Sequence, residues 1–590
     1  MIAAGQHFDF SPLALRPDES WGPLQLAIAR WVLAHGGDAL LARTAAAASL
    51  ADVDGDSALR IEDADTRDAL AEMPMVGDAQ QDRAPFVLDG ELFYLRRNFA
   101  REAAVAAMLR YRLADELVVD THAGIDIDTL FKHPDDPALV GQRRALDKMR
   151  SQRLFVLAGA PGSGKTTTVL RMLMLLSRMQ KEADETWPRI ALAAPTGKAA
   201  QRLRESLLAS TPSDFVPAWG DALTAVQTQA AEAGTLHRLL GLRPDGVEAR
   251  FHAGNPLAAD IVVVDEASML DLALLRRLLD ALPPHTRLLL VGDPDQLDSV
   301  GTGSVLQDIV AALGDDALSL QRLSHSFRAD RALLPLNKAV RQGDVQAFKA
   351  ALQTASTQAE LHVVNREGGL TSLRQTWAEG LLAEIRGRGI DADIDPNDSV
   401  RVSECLATLR QRQLLCALRD GPFGATGVSA GIDQQLAMAL QGSEGHGGEG
   451  EHWYPGRRIL ITRNDAASGL FNGDIGLCLR EADGRLRVWF AQGVDAVRAF
   501  DIGALPPHEP SFALTVHKAQ GSEYDEVAVL LPPKFDHPLL SRQWLYTAIS
   551  RARRRVQIWG NEAAIAHAIT HPARRSSGLA KRITEGRLSK

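Results

Sequence analysis

The stretch LFVLAGAPGSGKTTTVLRML, residues 154–173, constrains this chain more than any other. An apolar run breaks abruptly into glycine. A lysine and three threonines follow, and then an apolar pattern at helical spacing. Gly159, Gly164, Lys165 and Thr166 satisfy the spacing G-x-x-x-x-G-K-[ST], with Ala160, Pro161, Gly162 and Ser163 between the glycines and Thr167 just beyond. Bare backbone next to one cation is what a polyphosphate requires. Glycines let N–H groups curl around phosphate oxygens, and the helix that follows aims its positive dipole end at the same anion. In that reading Lys165 reaches the β- and γ-phosphates of ATP, and the Thr166 hydroxyl ligates Mg²⁺. A glycine-rich turn that merely packs would not need the lysine and the hydroxyl in sequence.

The rest of the chain says what such a site is attached to. At 590 residues and 45% hydrophobic, the chain is long enough for roughly three to five domains. It lacks a run of about 20 apolar residues, so no membrane-spanning helix is expected. The N-terminus MIAAGQHFDFSPLAL lacks the basic start and apolar core of a secretory signal. Cys405, Cys416 and Cys478 fit neither a zinc spacing nor a disulfide framework, which favours a cytoplasmic location. Net charge is −9, but it is uneven: residues 1–100 hold 8 Lys+Arg against 16 Asp+Glu, whereas the last fifty hold 11 against 2. An acidic head and a basic tail are compatible with a local phosphate-binding track.

Residues 1 to about 120 are Ala- and Leu-rich with helical periodicity and show no catalytic pattern. The segment DVDGDSALRIEDADTRD reads as an acidic loop without the closing glutamate of a calcium site. From about 140 to 325, the apolar runs LFVLAG, IALAAP, DIVVVDE and RLLLVGD each end in a polar or glycine-rich turn. Buried parallel strands with functional loops at their carboxyl ends have this appearance. A second α/β block covers roughly 326–450 and 510–570. Between its halves, β-branched runs with Asn-Gly and Asp-Gly turns predict a small antiparallel barrel over 456–510. The stretch GSEGHGGEGEHW, residues 442–453, offers His446 and His452 as metal ligands but reads more simply as a linker.

Two further strand ends carry chemistry. Asp265 and Glu266 follow an apolar strand: the first suits a Mg²⁺ ligand, the second a group that polarises attacking water. In VGDPDQL, Asp293 and Gln296 end another strand, and a glutamine there can sense the γ-phosphate.

The phosphate loop, APTGKAAQRL, GTLHRLLG, VVVDEAS, VGDPDQL, SFR, LTVHKAQGSEYDEV and LYTAISRARRRV occur in order. This set resembles superfamily 1 DNA helicases. ITRNDAASGLFNGDIG and the ending RRSSGL bring it nearest to the RecD family, the α subunits of exodeoxyribonuclease V. The motifs cover about residues 140–580. The resemblance implies an α/β fold with two RecA-like domains on parallel sheets (121–325 and 326–590), a helical partner-binding domain over 1–120, and an SH3-like barrel inserted at 456–510. It implies an ATP-dependent DNA helicase moving 5′ to 3′, working on single- and double-stranded DNA in a heterotrimer with RecB-like and RecC-like subunits. No nuclease carboxylate cluster is recognised, so cutting is expected in a partner.

Residue by residue, the resemblance makes Gln142 the adenine reader, and Arg328 and Arg551 the arginines that reach the γ-phosphate across a cleft. Arg553, Arg554 and Arg555 read as surface charge. Thr196, Lys198, Thr235, His237, Thr515, His517 and Lys518 fall in single-stranded-DNA motifs, with Gly521 and Glu523 linking that track to the nucleotide. The alternatives are a stand-alone or conjugation-type helicase and, further off, a non-motor ATPase or an assembly subunit.

Overall fold

Short, wholly apolar strands must be covered on both faces, which is the condition parallel sheets meet with helices. The computed structural model describes residues 21–585 apart from 80–82, 115–124, 211–216, 244–248, 328–329, 365–366, 441–452, 466 and 493–495. Two all-parallel sheets dominate it. The first runs, edge to edge, Leu320–Leu323, Leu154–Gly159, Arg287–Gly292, Ile261–Val264, Ile190–Ala194 and Gly234–Thr235. The second runs Ala359–Val363, Ala552–Gly560, Tyr524–Leu530, Arg412–Cys416 and Ala513–Thr515. Each sheet is sandwiched between two apolar clusters, one on either face. All strands of a parallel sheet end on the same side, so the loops singled out in the sequence gather at one rim of each sheet.

Where the sequence predicts a small barrel, an antiparallel ladder joins Ala496–Asp501, Leu486–Gln492, Ile475–Glu481, Arg458–Ile461 and His508–Pro510 in that order. A short strand from outside that stretch, Asp393–Ile394, adds parallel to Ile475–Glu481.

The N-terminal part is helical, with Pro23–Ala34, Ala39–Val53, Ala64–Ala71 and Arg96–Ala114. It also holds a four-stranded sheet absent from the sequence reading: Leu59–Arg60, Leu92–Leu95, Phe86–Asp89 and Val76–Gly77. Its hairpin turns at Gly90-Glu91, where Gly90 takes φ +62°, a conformation the first central position of a tight hairpin turn favours. The acidic stretch read as a loop is largely structured. Asp63 caps Ala64–Ala71 through Thr66 N at 2.9 Å, and Asp52 pairs with Arg97 at 2.6 Å. The helix Arg96–Ala114 is not separate from the first sheet: Val105, Leu109 and Leu113 share one core with it and with Leu579 and Ile583 near the C-terminus. Among the described residues no helix is long and apolar enough to cross a membrane.

Candidate active site between two parallel sheets

The buried strand Leu154–Gly159 delivers the glycine-rich loop, and Lys165–Asp184 is the helix that leaves it. Gly162 and Gly164 take φ +75° and +83°, where side chains are strained. A Cβ on Gly159 would fall 2.6 Å from Ser163 Oγ, and one on Gly164 2.7 Å from Gln142 Nε2. A side chain at Gly159 or Gly164 would collide, so the cradle needs glycine at both positions. Lys165 Nζ donates to Gly159 O at 2.7 Å and Ala160 O at 3.1 Å, so the ammonium folds onto the loop's own carbonyls. Two polar atoms beside the cradle are buried without a hydrogen-bond partner, Ser163 Oγ and Gln296 Oε1. The cradle, with the Ser163 hydroxyl able to donate, fits a polyphosphate, whereas Gln296 Oε1 is an acceptor and suits a water rather than a phosphate oxygen.

The strand Ile261–Val264 ends in Asp265 and Glu266. Glu266 takes φ +51°, one of two non-glycine residues with positive φ among the described residues. Its N–H donates to Asp265 Oδ1 at 2.9 Å. Strain at such a position is tolerated where the surroundings dictate it, and it is often functional. Burial first, and the Glu266 carboxylate second, push the Asp265 carboxyl up to about 6, while Lys165 pulls it back. The Thr166 hydroxyl and the Asp265 carboxylate are hard oxygen donors of the kind Mg²⁺ takes together with phosphate oxygens.

After Arg287–Gly292, Asp293 is buried and accepts from Gln296 Nε2 and from Tyr546 Oη, both at 3.0 Å. Leu297 N donates to Thr547 Oγ1 at 2.8 Å, and Gln520 Nε2 donates to Leu297 O at 3.2 Å. The end of this strand is thus tied directly to the second sheet's helix Arg542–Ile549.

One cleft of about 310 Å³ brings the two sheets together. Lys165, Thr166, Thr167, Asp265, Glu266 and Gln296 line it from the first; Glu523, Arg551 and Arg553 line it from the second. Arg551 is 2% exposed. Its guanidinium donates to Thr547 O at 3.1 Å, Ser522 O at 3.3 Å and Ser550 Oγ at 3.4 Å. Arg328 lies outside the described residues, as do His446 and His452; the neighbouring Phe327 N donates to Gly162 O at 2.9 Å. Gln142 is buried rather than on the surface, and its Oε1 accepts from Arg171. It lines a different cavity, behind the phosphate loop, with Ser163 and His325.

The DNA-motif residues sit at strand ends on both sheets. Thr196 and Thr235 cap the helices after two neighbouring strands, accepting from Ala199 N at 3.3 Å and Arg238 N at 3.2 Å. Lys198 is half-buried on the first of these helices, and His237 is exposed on the second. Thr515 closes the edge strand of the second sheet. His517 comes just after it, its imidazole held below the ordinary range by burial and by the charge of Arg575. Lys518 Nζ pairs with Glu509 at 2.6 Å.

Two cleft residues escaped the sequence reading. Arg202 crosses from the first sheet's side to pair with Glu523 at 2.8 Å and to donate to Gly521 O at 2.8 Å. Arg553, read as surface charge, pairs with the same Glu523 at 3.0 Å. A signal for Arg202 was present: it lies four residues after Lys198 on one helix face. Gly521 and Glu523 are therefore in contact with both sheets.

Comparison with known proteins agrees with this architecture. A family model described as AAA domain matches residues 142–302, and one described as UvrD-like helicase C-terminal domain matches 510–558. The RecBCD enzyme subunit RecD of Mycolicibacterium smegmatis is 39% identical over 521 residues, covering 87% of this chain and 86% of that protein. The RecBCD enzyme subunit RecD of Haemophilus influenzae is 31% identical over 463 residues, 72% of this chain and 69% of that protein. The ATP-dependent RecD2 DNA helicase of Deinococcus radiodurans is 30% identical over 429 residues, 72% of this chain but 49% of that protein.

Proposed function

Because this chain belongs to the RecD family, we propose that it is an ATP-dependent DNA helicase. We propose further that it is the 5′-to-3′ motor subunit of a RecBCD-type complex, acting in the cytoplasm. The observation that carries the reading is the shared cleft: the phosphate loop and carboxylates of one sheet face the arginines of the other across one cavity. ATP binds with its polyphosphate in the cradle over Gly159–Gly164 and its adenine on the Gln142 side. Lys165 leaves the loop carbonyls for the β- and γ-phosphate oxygens. Thr166 and Asp265 would hold Mg²⁺, which would neutralise charge on the phosphates. Glu266 orients the attacking water, Gln296 reads the γ-phosphate, and Arg551, with Arg328, stabilises the charge that develops on it.

A ligand that bridges the two sheets favours closure, and hydrolysis removes the bridge. Thr196, Lys198, Thr235 and His237 on one side, and Thr515, His517 and Lys518 on the other, grip single-stranded DNA through its phosphates without reading sequence. Alternate grip moves the strand, and a duplex in the path is unwound. RecB-like and RecC-like partners dock on the acidic N-terminal part, 1–120, where Glu62, Asp65 and Asp68 are exposed. Charge reversal of these three should weaken co-purification with such subunits, and unchanged assembly would remove them from the interface.

The test of the motor is hydrolysis with and without single-stranded DNA, for the wild-type chain and for Lys165→Gln. DNA should raise turnover in the wild type, and Lys165→Gln should lower it by about 10³-fold. A variant with undiminished, DNA-stimulated turnover would move the site elsewhere.

A further inference from the structure

The ending RRSSGL is not a loose terminus. It returns to the turn at 299–303 and closes a three-way junction. Arg575 Nη1 donates to Gly301 O at 2.6 Å and Gly303 O at 3.1 Å, and its Nη2 donates to Ser299 O at 2.6 Å. Three carbonyls of one turn thus share a single guanidinium. The N-terminal part holds the same turn from its other side. Gly303 N donates to Gly55 O at 2.8 Å, and Thr302 Oγ1 donates to Asp52 Oδ1 at 2.8 Å. A Cβ on Gly55 would fall 2.4 Å from Arg575 Cζ, so the two segments are in close contact. The tail is fixed on both flanks: Ser576 N donates to Asp56 Oδ1 at 2.6 Å, and Ser577 Oγ donates to buried Glu102 at 2.9 Å.

The held turn begins immediately after the segment that lines the nucleotide cleft. Gln296 and Leu297 precede Ser299, and Leu297 is bonded to Thr547 and Gln520 of the second sheet's side. The charge of Arg575 is also felt by His517 on the strand-end segment of the second sheet. A planar fork with five donors suits three diverging carbonyls; an ammonium cannot match it. The position of this turn therefore fixes where Gln296 and Leu297 can sit, and it is set jointly by the tail and by the N-terminal part.

We propose that Arg575 is a positioning residue for DNA-coupled hydrolysis. It holds the 299–303 turn so that the state of the nucleotide at Gln296 is transmitted to the DNA-facing segment at His517. Asp52 and Gly55 of the N-terminal part brace the same turn from its other side. The inference rests on the reading of the chain as a DNA-dependent ATPase.

The experiment uses the full-length chain as wild type, Arg575→Ala, Arg575→Lys and Thr302→Val, with ATP hydrolysis measured against a titration of oligo-dT. Basal hydrolysis should stay within about twofold of wild type in all three. The DNA-saturated rate should fall about tenfold in Arg575→Ala, with the half-saturating DNA concentration little changed, a size typical of coupling between sites. Arg575→Lys should lie between, and Thr302→Val should lose a smaller part of the stimulation. A DNA-saturated rate equal to wild type in Arg575→Ala would overturn the proposal. So would basal and stimulated rates falling in parallel, because that pattern marks a merely structural contact. Should Arg575→Ala fail to fold, full stimulation in both other variants overturns it equally. A wild-type chain indifferent to DNA would instead overturn the function on which the inference rests.

Discussion

The two parallel sheets present their strand ends to one cleft and equip them in opposite ways. The first supplies a glycine cradle, Lys165 and two adjacent carboxylates; the second supplies Arg551, and Arg553 paired with the carboxylate Glu523. Their charges are also balanced differently. Lys165 rests on neutral carbonyls but lies near Asp265, whose carboxyl it pulls down. Arg551 is as buried as any core residue and is held by two carbonyls and a hydroxyl. A buried cation held by neutral oxygens costs stability. A site that keeps one points to a ligand that brings the counter-charge. Neither sheet is therefore a complete site: the first can hold a polyphosphate, and the second completes its charge only when one is there.

The largest effect should come from breaking the second sheet's half. Arg551→Met keeps length and removes charge. Hydrolysis should fall by about 10³-fold or more, as for arginines that reach a transferring phosphoryl group, while nucleotide binding changes little. The thermal midpoint should hold or rise, since an uncompensated buried cation has gone. A midpoint drop with unaltered turnover would show that Arg551 is structural and that the two halves are not complementary.

The contact that joins the halves should matter less. Arg202→Gln releases Glu523 from the first sheet's side and leaves it with Arg553. DNA-stimulated hydrolysis should fall by about tenfold, with a smaller change in the basal rate. Equal losses in both would place Arg202 in nucleotide binding alone.

The smallest effect is on stability. The Asp265 carboxyl binds its proton more tightly folded than unfolded, because its folded value of about 6 lies above its ordinary 3.8. Its contribution is therefore most favourable below the ordinary value, declines as pH rises through about 6, and is flat and unfavourable above. Asp265→Asn is neutral at every pH. Its thermal midpoint should exceed that of the wild type at pH 8, by a few degrees, and the gap should narrow at pH 5. A constant gap would mean that the carboxylate is not strained by its surroundings.

Legibility in the sequence tracks how local the chemistry is. The strand, glycine loop and helix at 154–184 form one continuous segment, and so do Asp265 and Glu266 at a strand end. Contacts between remote segments were not legible. The Arg202–Glu523 pair joins residues whose proximity depends on how two sheets face each other. Arg553 sits in a run of arginines that reads as solvated surface, and only the fold turns one of them toward Glu523. Gln142 is buried against Gly164, a contact between two segments that neither shows alone. The N-terminal sheet was missed despite the glycine at its turn, because the Ala-rich helices around it dominate the local pattern. The acidic stretch over 52–68 read as a loop because its carboxylates cap a helix and pair with Arg97, jobs invisible without partners.

The central claim is that the two halves share one ATP in order to move along DNA, and strand displacement tests it most directly. A labelled duplex carrying either a 5′ or a 3′ single-stranded tail is mixed with the chain, ATP and Mg²⁺, in parallel with Lys165→Gln and Arg551→Met. The wild type should displace the strand from the 5′-tailed substrate, and neither variant should. Displacement only from the 3′-tailed substrate would contradict the direction, and displacement by either variant would contradict the shared site.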